Sequence, residues 1–286
     1  MAIMRPRRLS GSAAAIVVAG LGIWTATALA EPGGPASAPA PQRPTTSAIK
    51  FKVPAPPHAP TPNGITGLQT NFVVPPEPTA KQGTVYIWPG LQPLSTGENY
   101  DRMGNGVLQP ILAWTDGGGC SGKGPDGGSS NYHSWWIQGV YTNLEKDLDG
   151  NGRHCLTGEA MEVAENDSLH VDMILSGSTV WTTTVINRRS NRQVTFDMDL
   201  RGQQQNMAVF AIEPWGDPIF EQNVTFTDTT ITYEKPEKDN VVLCTSMQSY
   251  GWTGVDDPNP KLGGVYDAET KSCFYDTFKV PAMTRG

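Results

Sequence analysis

Apolar and polar residues alternate along many short segments of this chain. Between residues 193 and 200, the apolar side chains are Val194, Phe196, Met198 and Leu200, and polar residues stand between them. A period of two places apolar side chains on one face of a β-strand and leaves the other face to water. Similar β-type runs, bounded by Gly, Pro, Asn and Asp, occur at residues 83–88, 107–114, 134–141, 169–175, 180–187, 208–214 and 224–233.

The remaining local signals also favour strands. Residues 182–185 are β-branched, which favours strand over helix. Residues 187–191 (Asn-Arg-Arg-Ser-Asn) have the composition of a hairpin loop between two of the predicted strands. No segment shows a long amphipathic helical period. The sequence therefore predicts an all-β fold, an antiparallel two-sheet sandwich or jelly roll.

The first thirty residues are predicted to be a signal peptide. Three arginines precede an apolar stretch over residues 12–27, and Ala-Leu-Ala at residues 28–30 forms a cleavage site of the A-x-A type. A membrane anchor is the alternative, but glycines interrupt the stretch and no stop-transfer charges follow it. We expect cleavage after Ala30, an extracellular or periplasmic location, and no membrane association after cleavage.

Composition divides the rest of the chain into three parts. Residues 31–65 are rich in Pro, Ala and Ser, which predicts a semi-rigid linker or a propeptide. The β-type runs indicate a sandwich domain over residues 66–240. Residues 241–286 contain two cysteines and are too few to bury much surface alone, so we interpret them as a disulfide-stapled appendage.

The predicted mature chain is acidic. Residues 1–30 hold three of the 21 basic residues and none of the 28 acidic ones, so cleavage leaves 18 basic against 28 acidic residues and a net charge of about −10 at neutral pH. Such a chain has no electrostatic attraction for nucleic acid or anionic lipid. We expect a monomer without a cofactor.

The four cysteines are predicted to form two disulfides. Export brings the chain into an oxidising compartment, the number is even, and no C-x-x-C spacing suggests zinc. Three connectivities are possible, and we favour the sequential pairing because each pair flanks loop-like sequence. The predicted bonds are Cys120–Cys155 and Cys244–Cys273.

One segment has a weak likeness to a calcium loop. Asp147, Asp149 and Asn151 match the first, third and fifth positions of that loop, and Gly152 matches the sixth. The closing acid is missing from the twelfth position, and a polar turn explains the same residues. We therefore predict no metal site apart from this candidate.

Common catalytic motifs are absent from the sequence, among them G-x-S-x-G, H-E-x-x-H, the P-loop and D-T-G. An isolated carboxylate is the remaining candidate. Glu213 ends an otherwise apolar strand, on the face that alternation assigns to Val209 and Ala211. Desolvation there would raise the pKa of the Glu213 carboxyl, which suits proton exchange with a reacting water. Gln109 interrupts another apolar run, and its amide could donate to an oxyanion.

Several of these segments together resemble the glutamic peptidases, or eqolisins, which are secreted acid endopeptidases with a concanavalin A-like sandwich. The resemblance covers roughly residues 83–233. It rests on Val-Leu-Gln-Pro-Ile at residues 107–111, the pair Trp135-Trp136, and Ala-x-x-x-Ile-Glu at residues 208–213, in the family's order. Residues 85–92 also resemble secreted proteins of the concanavalin A-like lectin/glucanase group.

The resemblance implies a Gln109/Glu213 dyad that hydrolyses polypeptides, with the substrate groove lined by Trp88, Trp135 and Trp136. Two positions depart from the family's pattern. Pro110 follows the glutamine where a small residue is usual, and Ile137-Gln138 stands where the family has an acid.

The same residues allow two other interpretations. Gln109 could be a buried amide bonded to backbone, Glu213 a strand-end carboxylate paired with an arginine, and the tryptophans core residues. In that case, the protein could be a non-catalytic module that binds carbohydrate or peptide. A purely structural cell-surface module is the other possibility.

Overall fold

The structure is a computed structural model, and the part of the chain that it describes contains the predicted strands. The described residues are 46–52, 63–78, 83–93, 102–115, 134–143, 147–148, 153–216, 218–235, 244, 247–251, 256–257 and 264–283. They fall within one unit of the chain, residues 42–286. No helix among them is long and apolar enough to cross a membrane.

Fifteen strands occur in the described residues. Most of them contain runs of β-branched or aromatic residues, which suit a pleated surface. In chain order they are β1 (Ser47–Lys52), β2 (Ile65–Val73), β3 (Thr84–Gln92), β4 (Val107–Trp114), β5 (Trp135–Thr142), β6 (Cys155–Val163), β7 (Ser168–Ser176), β8 (Val180–Asn187), β9 (Arg192–Asp199), β10 (Met207–Trp215), β11 (Val224–Tyr233), β12 (Met247–Gly251), β13 (Asp256–Asp257), β14 (Val265–Asp267) and β15 (Ser272–Val280).

These strands form two antiparallel sheets. The first sheet has the order β13-β12-β1-β10-β3-β4-β5-β6, and the second has the order β14-β15-β11-β2-β7-β8-β9. The main hydrophobic core takes side chains from strands of both sheets and includes Leu112 of β4 and Val171 of β7. The predicted all-β fold, an antiparallel two-sheet sandwich, is confirmed.

The two sheets differ in how they bury their outer faces. In β7, β8 and β9 of the second sheet, buried and more exposed residues alternate, so the outer face is in contact with water. In β3, β4 and β5 of the first sheet, nearly every residue is buried on both faces. The first sheet therefore has a second apolar face in addition to its core face.

The loop between β8 and β9 is the predicted hairpin. Asn187 pairs with Arg192 across its base, and the Asn187 Oδ1 accepts hydrogen bonds from the backbone N–H groups of Arg189 and Ser190. Asn191 takes a φ of 55°, a left-handed conformation that asparagine tolerates better than most residues.

Two predicted boundaries of the sandwich are wrong. Residues 47–52 lie inside the predicted linker, yet they form β1, which pairs with β10 on one side and β12 on the other. Ile49 and Phe51 of this strand are buried in the core. At the other end, β15 lies inside the predicted appendage, yet it pairs with β11 along its whole length. The core of the sandwich needs both segments because their apolar side chains fill it.

A disulfide joins Cys244 to Cys273 at the start of β15, and both residues are fully buried. This bond agrees with the sequential pairing. Cys155 is also disulfide-bonded. Cys120 lies outside the described residues, so its pairing with Cys155 stays a prediction.

Loss of the Cys244–Cys273 bond is expected to destabilise the fold. The bond closes a loop between residues 29 positions apart, and removing a cross-link of this length costs about 3–4 kcal/mol in the chain-entropy description. The Cys244→Ala/Cys273→Ala double variant should show this loss in urea unfolding. An unchanged free energy of unfolding would contradict the expectation.

Candidate functional site

The outer face of the first sheet carries a second cluster of apolar side chains. It is separate from the main core and consists of residues from β1, β3, β4, β5 and β10: Ala48, Tyr86, Trp88, Ile111, Ala113, Trp136, Val140, Met207, Val209 and Ala211. We call this set the outer cluster. The candidate catalytic residues lie on the same face, because they are separated from its members by even numbers of residues along β4 and β10.

Glu213 lies near the end of β10, at the margin of the outer cluster. It pairs with Tyr86 of β3. Two indole N–H groups donate to its carboxylate, Trp88 Nε1 to Oε2 at 3.1 Å and Trp215 Nε1 to Oε1 at 3.0 Å. Burial raises the pKa of the Glu213 carboxyl, and the hydrogen bonds from Trp215 and Trp88 oppose that shift. Among the described residues, no arginine forms an ion pair with this carboxylate. Its affinity for a proton is increased because it is buried.

Gln109 is buried near the middle of the same face, with 4% of its surface exposed. It pairs with Val140 of β5. Its Oε1 atom has no hydrogen-bond partner among the described residues. The alternative interpretation is a buried amide bonded to neighbouring backbone, and the Oε1 atom makes no such bond among the described residues.

The strand pair β3–β4 is interrupted beside Gln109. The paired residues end at Ile87–Leu112 and resume at Leu91–Leu108. Continuing the same register across this gap places Pro89 opposite Pro110, and neither proline has an N–H to donate. The missing N–H groups of these two prolines therefore explain why the pairing of β3 and β4 is interrupted here.

Gly90 allows Trp88 and Gln109 to lie side by side within this gap. A Cβ atom on Gly90 would be 3.1 Å from Trp88 Cε3 and 3.1 Å from Gln109 Cβ. The six-membered ring of Trp88 thus lies close to Gln109, while its Nε1 atom bonds to Glu213.

Gln109 and Glu213 share a face but do not touch. The register places Gln109 level with Gly90 and Val209, four residues along β10 from Glu213 and two strands away. In a flat sheet this diagonal corresponds to about 16 Å between the Cα atoms, from about 13 Å along the strands and about 10 Å across them. Trp88, which is buried with 5% of its surface exposed, lies between the two side chains on this face.

The three tryptophans predicted to line a groove lie on different sides of the sheet. Trp88 and Trp136 belong to the outer cluster. The prediction for Trp135 is wrong, because its ring lies in the main core and packs against Trp114 at 5.5 Å and Phe220 at 6.2 Å between ring centroids. Adjacent strand residues point to opposite faces, so only one of the pair Trp135-Trp136 can line the outer face.

The structure adds three residues to the site that the sequence did not predict as site residues, although Gln138 was noted there as a departure from the family's pattern. Tyr86 pairs directly with Glu213, Gln138 is a buried amide that pairs with Ile111 of the outer cluster, and Trp215 donates to Glu213. Trp215 stands two residues after Glu213 on the same strand, so alternation alone could have indicated it.

The calcium candidate falls mostly outside the described residues. Asp147 is described, whereas Asp149 and Asn151 are not. Within the described ranges, no group of three or more His, Cys, Asp or Glu side chains is arranged to hold a metal ion. Calcium binding therefore remains untested.

Comparison with solved structures finds similar folds. One is Scytalido-glutamic peptidase with a peptide based transition state analog (11% identity, TM-score 0.45), and another is SCP-B, a member of the eqolisin family, in a complex with the tripeptide Ala-Ile-His (12% identity, TM-score 0.42); each match covers 83% of this chain and 98% of that chain. Lectin II from Ulex europaeus matches with 9% identity and a TM-score of 0.32, over 62% of this chain and 79% of the lectin.

No protein-family model and no curated protein matches the chain. At the identities and TM-scores of the structural matches, the likeness assigns neither a family nor an activity.

Proposed function

We propose that this protein is a secreted acid endopeptidase of glutamic-peptidase type, in which Glu213 transfers the proton and Gln109 contacts the reacting peptide group. The observation that carries the proposal is the setting of Glu213. Its carboxylate lies beside an apolar cluster, is held by two indole N–H groups, and has a raised pKa because of burial. A positioned carboxyl group with these properties is suited to general acid–base catalysis.

The proposed reaction uses one water molecule. The ionised Glu213 carboxylate takes a proton from this water, and the water oxygen forms a bond to the carbonyl carbon of the peptide. As the C–N bond breaks, the protonated Glu213 gives that proton to the leaving nitrogen. The products are a carboxylic acid and an amine, and the carboxylate returns to its starting state.

Gln109 is proposed to contact the reacting group from the other side. Its buried Oε1 atom lacks a partner among the described residues, and an unsatisfied buried acceptor costs about 1–3 kcal/mol. A water or substrate donor would remove this cost, and the Nε2 group could donate to the oxyanion. Because Gln109 and Glu213 do not touch, the peptide group is proposed to occupy the space between them over Trp88.

The raised pKa of Glu213 predicts the pH at which activity falls on the acid side of the pH–rate profile. As a general base, Glu213 must be ionised, so kcat/KM should fall when the pH drops through the pKa of this carboxyl, above its ordinary value of 4.5. The measurement is kcat/KM against pH with a synthetic peptide. In the Trp88→Phe variant, which lacks one N–H donor to the carboxylate, the fall should move to higher pH. A fall centred at or under pH 4.5 in the wild type would contradict the prediction.

Degradation of casein or haemoglobin by the exported protein, between acidic and neutral pH, tests the proposed function. The wild type should release fragments, and the Gln109→Ala variant should release them about 10²–10³-fold more slowly, since one donor to the oxyanion is lost. N-terminal sequencing of the same preparation tests the proposed cleavage after Ala30. The absence of cleavage at every pH would overturn the proposal.

A non-catalytic carbohydrate-binding module is the second candidate function. The exposed ring of Trp215 beside the Glu213 carboxylate favours it, because an aromatic face packs on the apolar face of a sugar and a carboxylate accepts hydrogen bonds from its hydroxyl groups. Retention on a glycan array without any proteolysis would support this function instead.

A further inference from the structure

Trp215 is the most exposed tryptophan or phenylalanine among the described residues. About half of its surface, 53%, is in contact with solvent, and it belongs to neither the main core nor the outer cluster. Burying a tryptophan side chain is strongly favourable. Because about half of Trp215 is exposed, much of this free energy is not gained in the folded chain. The exposure of the ring is therefore not explained by packing within the chain.

The ring of Trp215 is nevertheless held in one position by its hydrogen bond and its strand. Its Nε1 atom donates to Glu213 Oε1 at 3.0 Å, and its backbone continues the β10–β3 ladder by pairing with Thr84. An exposed aromatic side chain that is already ordered loses little conformational entropy when a ligand packs on it.

Two glycines hold the backbone on either side of this ring. Gly83 precedes β3 and has a φ of 64°, and a Cβ on it would lie 2.6 Å from the carbonyl oxygen of Trp215. Gly216 has a φ of 79°, and a Cβ on it would lie 3.1 Å from the Cα of Gly83. Other residues would be strained at these positions, so this close backbone contact keeps Trp215 at the end of the strand, next to Glu213.

We infer that Trp215 is a specificity-determining residue that packs against a large aromatic or aliphatic side chain of the polypeptide substrate, next to the peptide bond that the water activated by Glu213 attacks. The inference rests on the proposed function and adds the substrate class: polypeptides with a bulky apolar residue beside the scissile bond. The ring and the carboxylate are joined by one hydrogen bond, so a side chain that packs on the ring is also placed close to the catalytic group. The indole N–H gives Trp215 a second role as a positioning residue for the carboxylate.

Two substitutions separate these roles. Trp215→Phe keeps an aromatic ring but removes the N–H donor, whereas Trp215→Ala removes both. With peptides that carry Phe or Ala at each position flanking the cleaved bond, Trp215→Ala should raise KM for the Phe peptides about tenfold or more and leave KM for the Ala peptides nearly unchanged. Trp215→Phe should keep KM within about twofold and move the acid fall of kcat to higher pH, because the carboxylate loses a donor.

Phe274→Ala provides the matched control, since Phe274 is an exposed aromatic residue (39%) on the second sheet. It should change neither KM nor the pH profile. If the wild type cleaves but Trp215→Ala keeps the same preference for Phe over Ala peptides, the inference is wrong and the proposed function stands. If the wild type cleaves no peptide, the proposed function itself fails. Circular dichroism of both Trp215 variants checks that any loss is not a loss of folding.

Discussion

Replacing Glu213 with glutamine is expected to lower kcat/KM for peptide hydrolysis by about 10³-fold or more. The amide has nearly the same shape, and its Oε1 atom can still accept a hydrogen bond from an indole N–H. It cannot take a proton from water or return one to the leaving nitrogen, and each such transfer contributes about 10²–10⁴-fold. The measurement is kcat/KM with a synthetic peptide at the optimal pH of the wild type.

Glu162 provides the matched control for this substitution. It lies in the same row across the first sheet, reached from Glu213 through Tyr86, Ala113 and Trp136 by successive strand pairings. Glu162 is exposed at the other end of the row, on β6. The Glu162→Gln variant should therefore retain the activity of the wild type. Equal losses in the two variants, or full activity in Glu213→Gln, would remove Glu213 from the mechanism.

Strands with an uninterrupted pattern could be predicted from the sequence. The predicted strands at residues 107–114, 180–187 and 224–233 coincide with β4, β8 and β11. In β8 the β-branched residues alternate between the core and the outer face, whereas β4 is a nearly continuous apolar run buried on both faces. Both patterns are typical of strands at different depths in a sandwich.

Strands that depend on their partners could not be predicted in the same way. β1 has only six residues and stands between Pro-rich stretches, and it is held by β10 and β12 on its two sides. β6 contains Gly158, Ala160 and two glutamates, which are poor strand formers, and it lies at the edge of the first sheet next to β5. In both cases, tertiary pairing overrides weak local preference.

The sequence could predict which residues of the candidate site share a sheet face, but it could not predict the distances between them. Alternation places Glu213 with Val209 and Ala211, and the hydrogen bond from Trp88 of the outer cluster to Glu213 agrees with this arrangement. Alternation also requires Trp135 and Trp136 to point to opposite sides, but it does not say which one points inward. The diagonal between Gln109 and Glu213 depends on the register of β10, β3 and β4, and the long connections between these strands leave that register free in the sequence.

The Phe226→Ala substitution is expected to cost about 3–5 kcal/mol of folding stability. Phe226 of β11 is fully buried, and its ring centroid lies 5.3 Å from Phe72, 4.9 Å from Phe210 and 5.6 Å from Phe278. These rings come from both sheets, and Phe278 belongs to β15, in the segment that the sequence suggested was an appendage. Truncation would therefore leave a cavity where the two sheets and the C-terminal strand meet.

Urea unfolding of Phe226→Ala, with Phe274→Ala as the control on β15, measures this cost. The control removes an exposed ring and should change the free energy of unfolding by about 0.5 kcal/mol or less. Because the ring of Phe226 contacts both Phe210 and Phe278, the variant should lose stability in one cooperative transition seen by every probe. A separate early transition confined to the C-terminal strands would instead show that residues 264–283 fold as an independent appendage. A loss of unfolding free energy no larger than that of Phe274→Ala would contradict the central position of Phe226 in the core.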